Sequence, residues 1–312
     1  MDVADIKIIY QDHYLLIVNK PAGVVIHPTY KHADDTLWDA LLVYLEQQGQ
    51  DDWQPPALAD EPGWELAPPE VRAMLRQRRE ERYWREEGLL PRPCLLHRLD
   101  KDTSGIVALA RTEQARRHIV RQFQDHIIVK RYLAVVQRGA RDWARPRTMF
   151  TTTRSTLDAE ALWDASQLFA SALGEKFILS GPLWRDPEDR RRCVVIEGGQ
   201  EAITKFRLLA IEDDCALLDV QPITGRTHQI RAHLAALGYA IVGDQTYALS
   251  AASGSPASAL SRQFLHAYSL ALRNYPHNMS VTFVAPLADD LVAWLERYYP
   301  VLRVKIDEQI KI

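Results

Sequence analysis

Between Cys94 and Thr112 the chain reads CLLHRLDKDTSGIVALART, and a single carboxylate there, Asp100, stands between basic residues and a tight Thr103-Ser104-Gly105 turn. Arg98 and Lys101 flank it with positive charge, which favours the ionised form. An ionised carboxylate at a turn can attack an electrophilic carbon or stabilise positive charge developing on one. An isolated Arg-x-Asp is more often a structural ion pair, so the chemistry rests on what the rest of the chain supplies. A calcium loop starting at Asp100 does not fit: Gly105 falls at its sixth position as required, but Arg111 stands at the twelfth, where a bidentate Glu is needed.

The elements around this segment must hold it. IVALA after Gly105 reads as a buried strand, and Thr112 caps a helix running through Phe123 with Arg116, Arg117 and Arg121 near one face. Upstream, Ile6 to Ile9, Leu15 to Val18 and Val24 to His27 have strand character, and Asp35 is placed to cap a helix through Leu45. Downstream, strands are expected at Ile127 to Val136, Val194 to Ile196, Ala202 to Ile211 and Ala216 to Val220, the last two forming a hairpin over Glu212 to Asp214. Leu157 to Leu173 and His228 to Leu237 read as helices, the second ended by Gly238. Leu265 to Leu272 and Ser280 to Val284 close the strand set before a helix near Ala288 to Tyr298. Many hairpin-linked strands with interspersed helices indicate an α+β fold built on a mixed, mainly antiparallel sheet.

The 312 residues, 47% of them hydrophobic, suffice for a sizeable core and one or two domains. No apolar stretch reaches the ~20 residues of a membrane-spanning helix, which points to a soluble cytoplasmic protein. Cys94, Cys193 and Cys215 are odd in number and widely spaced, so neither a disulfide framework nor a zinc site is indicated. A formal net charge of −3 is unusual for a chain that handles nucleic acid, whose footprint is basic. Local distribution offers a remedy: Arg185, Arg190, Arg191 and Arg192 cluster, as do Lys130, Arg131, Arg226 and Arg231 at the motifs below, so a basic cleft on an acidic body is expected. The 190 to 192 run reads equally well as a solvated loop.

Four segments in order, IVNKPAGVVIHP (Ile17 to Pro28), HRLDKDTSGIVALA (His97 to Ala110), KRYLAVVQRG (Lys130 to Gly139) and TGRTHQIRAHLAALGYAIVGDQTY (Thr224 to Tyr247), with LHA at Leu265 to Ala267, resemble the RluA-type pseudouridine synthases. The resemblance runs from Ile9 to about Pro286 and is broken by an unmatched stretch, residues 49–93, where proline clusters bracket a charged, helix-like segment from Glu70 to Glu87. It implies a single catalytic domain over residues 1–312 with that stretch inserted, a bent sheet with flanking helices and a central catalytic cleft, and a monomer acting on rRNA or tRNA. The small S4-type RNA-binding domain common before such cores is expected to be absent, because strand character begins within the first ten residues.

The resemblance also assigns residues. Asp100 is the catalytic carboxylate, Arg226 the basic residue that pairs with it, and Tyr132 the ring that lies against the target base. Arg98 enters the RNA stack when a uridine is extruded, and Lys130 and Arg231 contact RNA. His97, His228, Gln229 and His233 are read as structural. The implied reaction is an isomerisation, so no cofactor and no metal are expected. Tyr239-Ala240 and Ala248 depart from the family's usual His-Pro and Gly. Two alternatives stand beside this reading. Asp100-Lys101-Asp102-Thr103 loosely resembles the D-x-D-x-T signature of magnesium-dependent phosphatases, with Thr103 one residue early; a non-catalytic RNA-binding relative is the other.

Overall fold

The computed structural model describes residues 7–27, 35–47, 60, 63–86, 89–148, 150–155, 160–162 and 165–310. It opens on an antiparallel hairpin of β1 (Lys7–Gln11) and β2 (Leu15–Lys20), turned by Asp12, whose Oδ1 accepts from the backbone N–H groups of Tyr14 and Leu15. Helix α1 (Leu37–Gln47) starts at Thr36 rather than Asp35: Asp39 N–H donates to Thr36 Oγ1, and Thr36 N–H donates back to the Asp39 carboxylate at 3.1 Å. No strand forms at Val24 to His27. Carbonyls of Val25 and Ile26 instead accept from Leu37 and Trp38 N–H, spending that backbone on the start of α1.

Helix α2 (Pro69–Glu86) lies in the unmatched stretch, whose last residues enter β3 (Leu89–Leu95), paired with β4 (Ser104–Thr112). Helix α3 (Glu113–Gln124) follows, capped as expected by Thr112 Oγ1 on Ala115 N–H, and leads to β5 (Val129–Arg138). After β6 (Thr151–Ser155), the expected helix at Leu157 to Leu173 gives way to β7 (Glu160–Leu162) and a 3-10 turn at Ala165–Ala170, with residues 156–159 and 163–164 outside the described set. Pairing of β7 with β6, which itself pairs with β8 (Lys176–Ser180), takes the place of the local helical spacing. A short ribbon of β9 (Leu183–Arg185) and β10 (Cys193–Val195) precedes the long hairpin of β11 (Ile203–Glu212) and β12 (Cys215–Pro222). Helix α4 (Gln229–Ala236), β13 (Tyr239–Ile241), β14 (Leu265–Arg273), β15 (Ser280–Val284), α5 (Asp289–Tyr298) and α6 (Pro300–Ile310) complete the chain; α6 has no counterpart in the sequence expectations.

The sheet runs β1-β2-β4-β14-β5-β12-β11-β8-β6-β7, and β4 with β14 is the one parallel pair among its described strands. All nine residues of β4 are buried, which is why IVALA reads as an unbroken apolar run: Val107 and Leu109 join the core on one face, Ile106 and Ala108 the core on the other. Ile119 of α3 covers the second face, and Leu291, Leu295, Leu302 and Ile306 of α5 and α6 belong to the first. The sheet is therefore a central layer between helices, mixed and mainly antiparallel as the α+β expectation states.

Candidate active site

Asp100 sits in the connection from β3 to β4, and that connection is fixed residue by residue. Thr103 N–H donates to the Asp100 carbonyl at 3.1 Å, closing a turn. Lys101 O accepts from the fully buried Lys20 ammonium, Asp102 O from Arg262, Thr103 Oγ1 from Gln263, and Ser104 Oγ contacts His266 Nδ1 at 2.9 Å. Burial pushes the Lys20 amine down to about 7 against the pull of Asp102 and Asp100, and the carbonyls of Pro21, Val24 and Lys101 satisfy its three donors. Gly105 has φ +117°, and a Cβ there would lie 2.2 Å from Ala267 O on β14, so only glycine lets β4 enter the sheet this closely.

Lys130 and Tyr132 alternate with Arg131 along β5, so two faces result. Lys130 and Tyr132 line the same cleft as Asp100, whereas Arg131 reaches Asp219, which also takes Tyr268 Oη and Arg207 on the opposite side. Tyr132 is 8% exposed; burial first, then the nearby Asp100 charge, holds its phenol well above the ordinary value, so it stays neutral. Burial pulls the Lys130 amine below the usual lysine range, and its nitrogen lies 5.9 Å from the Phe123 ring centroid.

Arg226 does not pair with Asp100. It is exposed, and its Nε donates to Glu201 O at 3.1 Å. The cation on Asp100 is Arg231, five residues on, whose Nη1 donates to Asp100 Oδ2 at 3.0 Å. The reason is the start of α4: His228 adopts a left-handed conformation with φ 54°, Gln229 Oε1 accepts from Arg226 N–H and Thr224 Oγ1, and the helix begins only at Gln229. Arg226 is thereby left on the turn, while Arg231 enters the interior.

Arg231, expected as an RNA contact, lines the cleft and is also held by protein groups. Its side chain is 8% exposed and makes a two-point contact with the fully buried Asp244, at 2.7 and 3.0 Å, with a further bond to Thr246 Oγ1. Burial alone would favour losing its proton, but hydrogen bonding to Asp244 and the charges of Asp244 and Asp100 outweigh that and hold the guanidinium above its ordinary value. Asp244 in turn accepts from Thr246 and Tyr247 N–H. Asp244, which holds Arg231, and Arg262, which holds the Asp102 carbonyl, are positions the site expectations did not include; they lie in GDQTY at Gly243 to Tyr247 and SRQFLHA at Ser261 to Ala267.

Gln229 and His233 are structural, as expected. Gln229 also donates to Ile203 O and Thr204 Oγ1, and His233 bridges Thr204 Oγ1 and Gly181 O. His97 Nε2 accepts from Ala108 N–H at 3.1 Å, and burial lowers its imidazole to about 3. His228 lines the cleft beside Tyr247, with its imidazole lowered by burial.

These groups surround a cleft of about 600 Å³. Its charged lining is one carboxylate, Asp100, against four cations, Arg98, Lys130, Arg226 and Arg231. Arg98 is exposed, and neither it nor Lys130 has an ion-pair partner among the described residues. Residues 190 to 192 contribute nothing to this lining: Arg191 pairs with Asp189 and Arg192 with Asp186. The basic cleft on an acidic body therefore exists, built from motif residues alone. Asp100, 26% exposed at its side chain, offers the cleft an oxygen, Oδ1, that carries no hydrogen bond from the described residues.

Relatives include the ribosomal large subunit pseudouridine synthase D of Nitrosomonas europaea, 30% identical over 93% of this chain and 64% of that protein. Another is an uncharacterized RNA pseudouridine synthase of Chloroflexus aurantiacus, 37% identical over 88% of this chain and 63% of that protein. The chain thus spans just under two thirds of the length of these relatives. Among solved structures, human RNA pseudouridylate synthase domain containing 1 shares the fold, with a TM-score of 0.54 at 21% identity over 98% of this chain and 96% of that one. The family model for RNA pseudouridylate synthase matches residues 14–236, the span that holds Asp100, Tyr132 and Arg231, and the chain belongs to that family.

Proposed function

We propose that this protein isomerises uridine to pseudouridine within a structured RNA, with Asp100 as the catalytic carboxylate. The observation that carries the reading is a carboxylate with one oxygen unbonded among the described residues, fixed by a buried guanidinium inside a cleft whose other charged lining is cationic. The reaction breaks the N1–C1′ bond, turns the uracil and forms C5–C1′; the proton at C5 leaves and N1 gains one, so nothing is oxidised or reduced. Asp100 supplies negative charge or a nucleophile where electron-poor carbon appears. Arg231 keeps it oriented, and Tyr132 offers a neutral ring surface for the base. Arg98, Lys130 and Arg226 supply the positive field that holds phosphates. The name of the Nitrosomonas relative supports large-subunit ribosomal RNA as the substrate. A cytoplasmic monomer without cofactor is the simplest setting; among the described residues no helix is long and apolar enough to cross a membrane. Nothing in the family match favours the phosphatase alternative.

The test is Asp100→Asn, which removes charge at nearly constant size. Tritium release from C5-labelled large-subunit RNA should fall to background with the unfolding midpoint unchanged; release near the wild-type level would overturn the assignment.

A further inference from the structure

Both halves of the Asp100–Arg231 pair are held by a short segment ahead of β14 that lies outside the cleft lining. Arg262 is 7% exposed at its side chain, and its Nη1 donates to Asp102 O at 3.2 Å, two residues from Asp100. Gln263 and His266 then take Thr103 Oγ1 and Ser104 Oγ. On its other side, the same backbone meets the loop that anchors Arg231. A Cβ on Gly243, whose φ is +76°, would lie 2.1 Å from Arg262 O, and Phe264 N–H donates to Val242 O at 2.8 Å. The next residue, Asp244, clamps Arg231. Arg262 is itself secured by Asp290, in the first turn of α5, through a two-point contact at 2.6 and 2.8 Å.

We propose that Arg262, tied to Asp290, is a positioning residue for the Asp100–Arg231 pair. Its side chain sets the height of the Asp100 loop, its backbone sets the height of the Asp244 loop, and α5 fixes both relative to the core. The inference rests on the function proposed above for its catalytic consequence. The geometry itself stands apart from that function.

A planar guanidinium suits this task because it can hold a carboxylate at two points on one edge and a carbonyl on another; a lysine ammonium reaches one of them at a time. Neither Arg262 nor Asp290 lines the cleft, so their loss should leave RNA affinity intact and act on the chemical step alone. Asp289 provides a matched control. It is the adjacent residue of the same helix turn, fully exposed in practice at 93%, and its partner is Lys7 rather than Arg262.

The experiment compares full-length wild type, Asp289→Asn, Asp290→Asn, Asp290→Glu and Arg262→Lys on C5-tritiated large-subunit ribosomal RNA made by transcription. Single-turnover rates are measured with enzyme in saturating excess, so a partly unfolded population does not change the rate constant. A displacement of about 1 Å at a reacting group costs up to ~100-fold, so Asp290→Asn and Arg262→Lys should slow the step roughly tenfold or more. RNA dissociation constants should stay within about twofold, Asp289→Asn should match wild type, and Asp290→Glu should recover most of the rate. Equal rates for Asp289→Asn and Asp290→Asn, or a loss confined to RNA affinity, would overturn the proposal. Amide hydrogen exchange is read on the same proteins without RNA: Asp290→Asn, but not Asp289→Asn, should speed exchange across 101–105 and 243–247. If wild type releases no tritium, the proposed function has failed and exchange alone decides the positioning role; unchanged exchange would refute it.

Discussion

Arg231→Met removes the guanidinium and keeps a long side chain, and its consequences separate into a structural part and a chemical part. In the folded protein Asp244 would remain fully buried, with two backbone N–H groups on Oδ1 and nothing on Oδ2. Removing one partner of a buried ion pair costs about 3–5 kcal/mol, a large share of the roughly 5–15 kcal/mol that holds a typical domain together. At Asp100 a single charge-assisted bond of 3.0 Å is lost. Such a bond contributes about 1.5–3 kcal/mol, and if it persists in the transition state its loss slows the reaction about ten- to hundredfold. The double variant Arg231→Met, Asp244→Asn removes the orphaned charge while the amide oxygen still accepts from Thr246 and Tyr247 N–H, so part of the lost stability should return while the rate stays low. Arg226→Met is the comparator: exposed, with one bond to Glu201 O, it should change stability by less than about 0.5 kcal/mol and act on RNA affinity. The assays are denaturant unfolding and saturated single-turnover tritium release. Native stability in Arg231→Met, or an equal loss of saturated rate in Arg226→Met, would refute the assignment of Arg231 as the partner of Asp100.

Three further outcomes follow from the same geometry. Gly105→Ala places a methyl 2.2 Å from Ala267 O at φ +117°, so it should either prevent folding or move the Asp100 loop and abolish turnover; a folded, active variant seen by circular dichroism and tritium release would contradict the close approach. Burial depresses His97 to about 3 and His233 and His266 to about 4, below the ordinary 6.5, so the stability they contribute is complete above that value and is lost as pH falls towards 3–4. Denaturant midpoints measured from pH 7 to 4.5 should drop steeply, with a shallower slope in His233→Gln; a flat profile would count against buried neutral imidazoles. Replacing residues 49–86 by a short loop should leave β3, β4 and the Asp100 site assembled and affect only RNA binding or choice; collapse of the fold would show that α2 belongs to the core.

Motif letters located Asp100 because its segment is continuous and its supports, the turn, the all-buried β4 and the Thr112 cap, are local. They misplaced its partner for a physical reason. Arg226 and Arg231 share one eight-residue motif, and which of them points inward depends on a left-handed His228 and on where α4 begins, and those are decided by Gln229 reaching across to Thr204 and Ile203. The spacing over Leu157 to Leu173 suited a helix, but the partner of β7 is β6, which lies outside that window, and their pairing outweighs it. Asp244 and Arg262 escaped notice because their importance lies in what they hold, residues 13 positions away in one case and 160 in the other.

The position of β14 has a consequence for the order in which the molecule is made. It is the strand that joins β4 on one side to β5 on the other, yet it is synthesised after every other strand except β15. Until it inserts, the ribbon of β1, β2 and β4 that carries Asp100 has no sheet contact with the β5-β12-β11 block against which α4 and Arg231 are set. Closing that seam brings together residues 131 apart, a loop whose entropy must be met before any contact rewards it, so the Asp100–Arg231 pair should be among the last features to form. During translation a chain that has not yet extruded residues 265–273 would be two unjoined halves. Appearance of the intact pair then reports completion of the whole sheet, and a nascent chain gains its chemistry late and in one step.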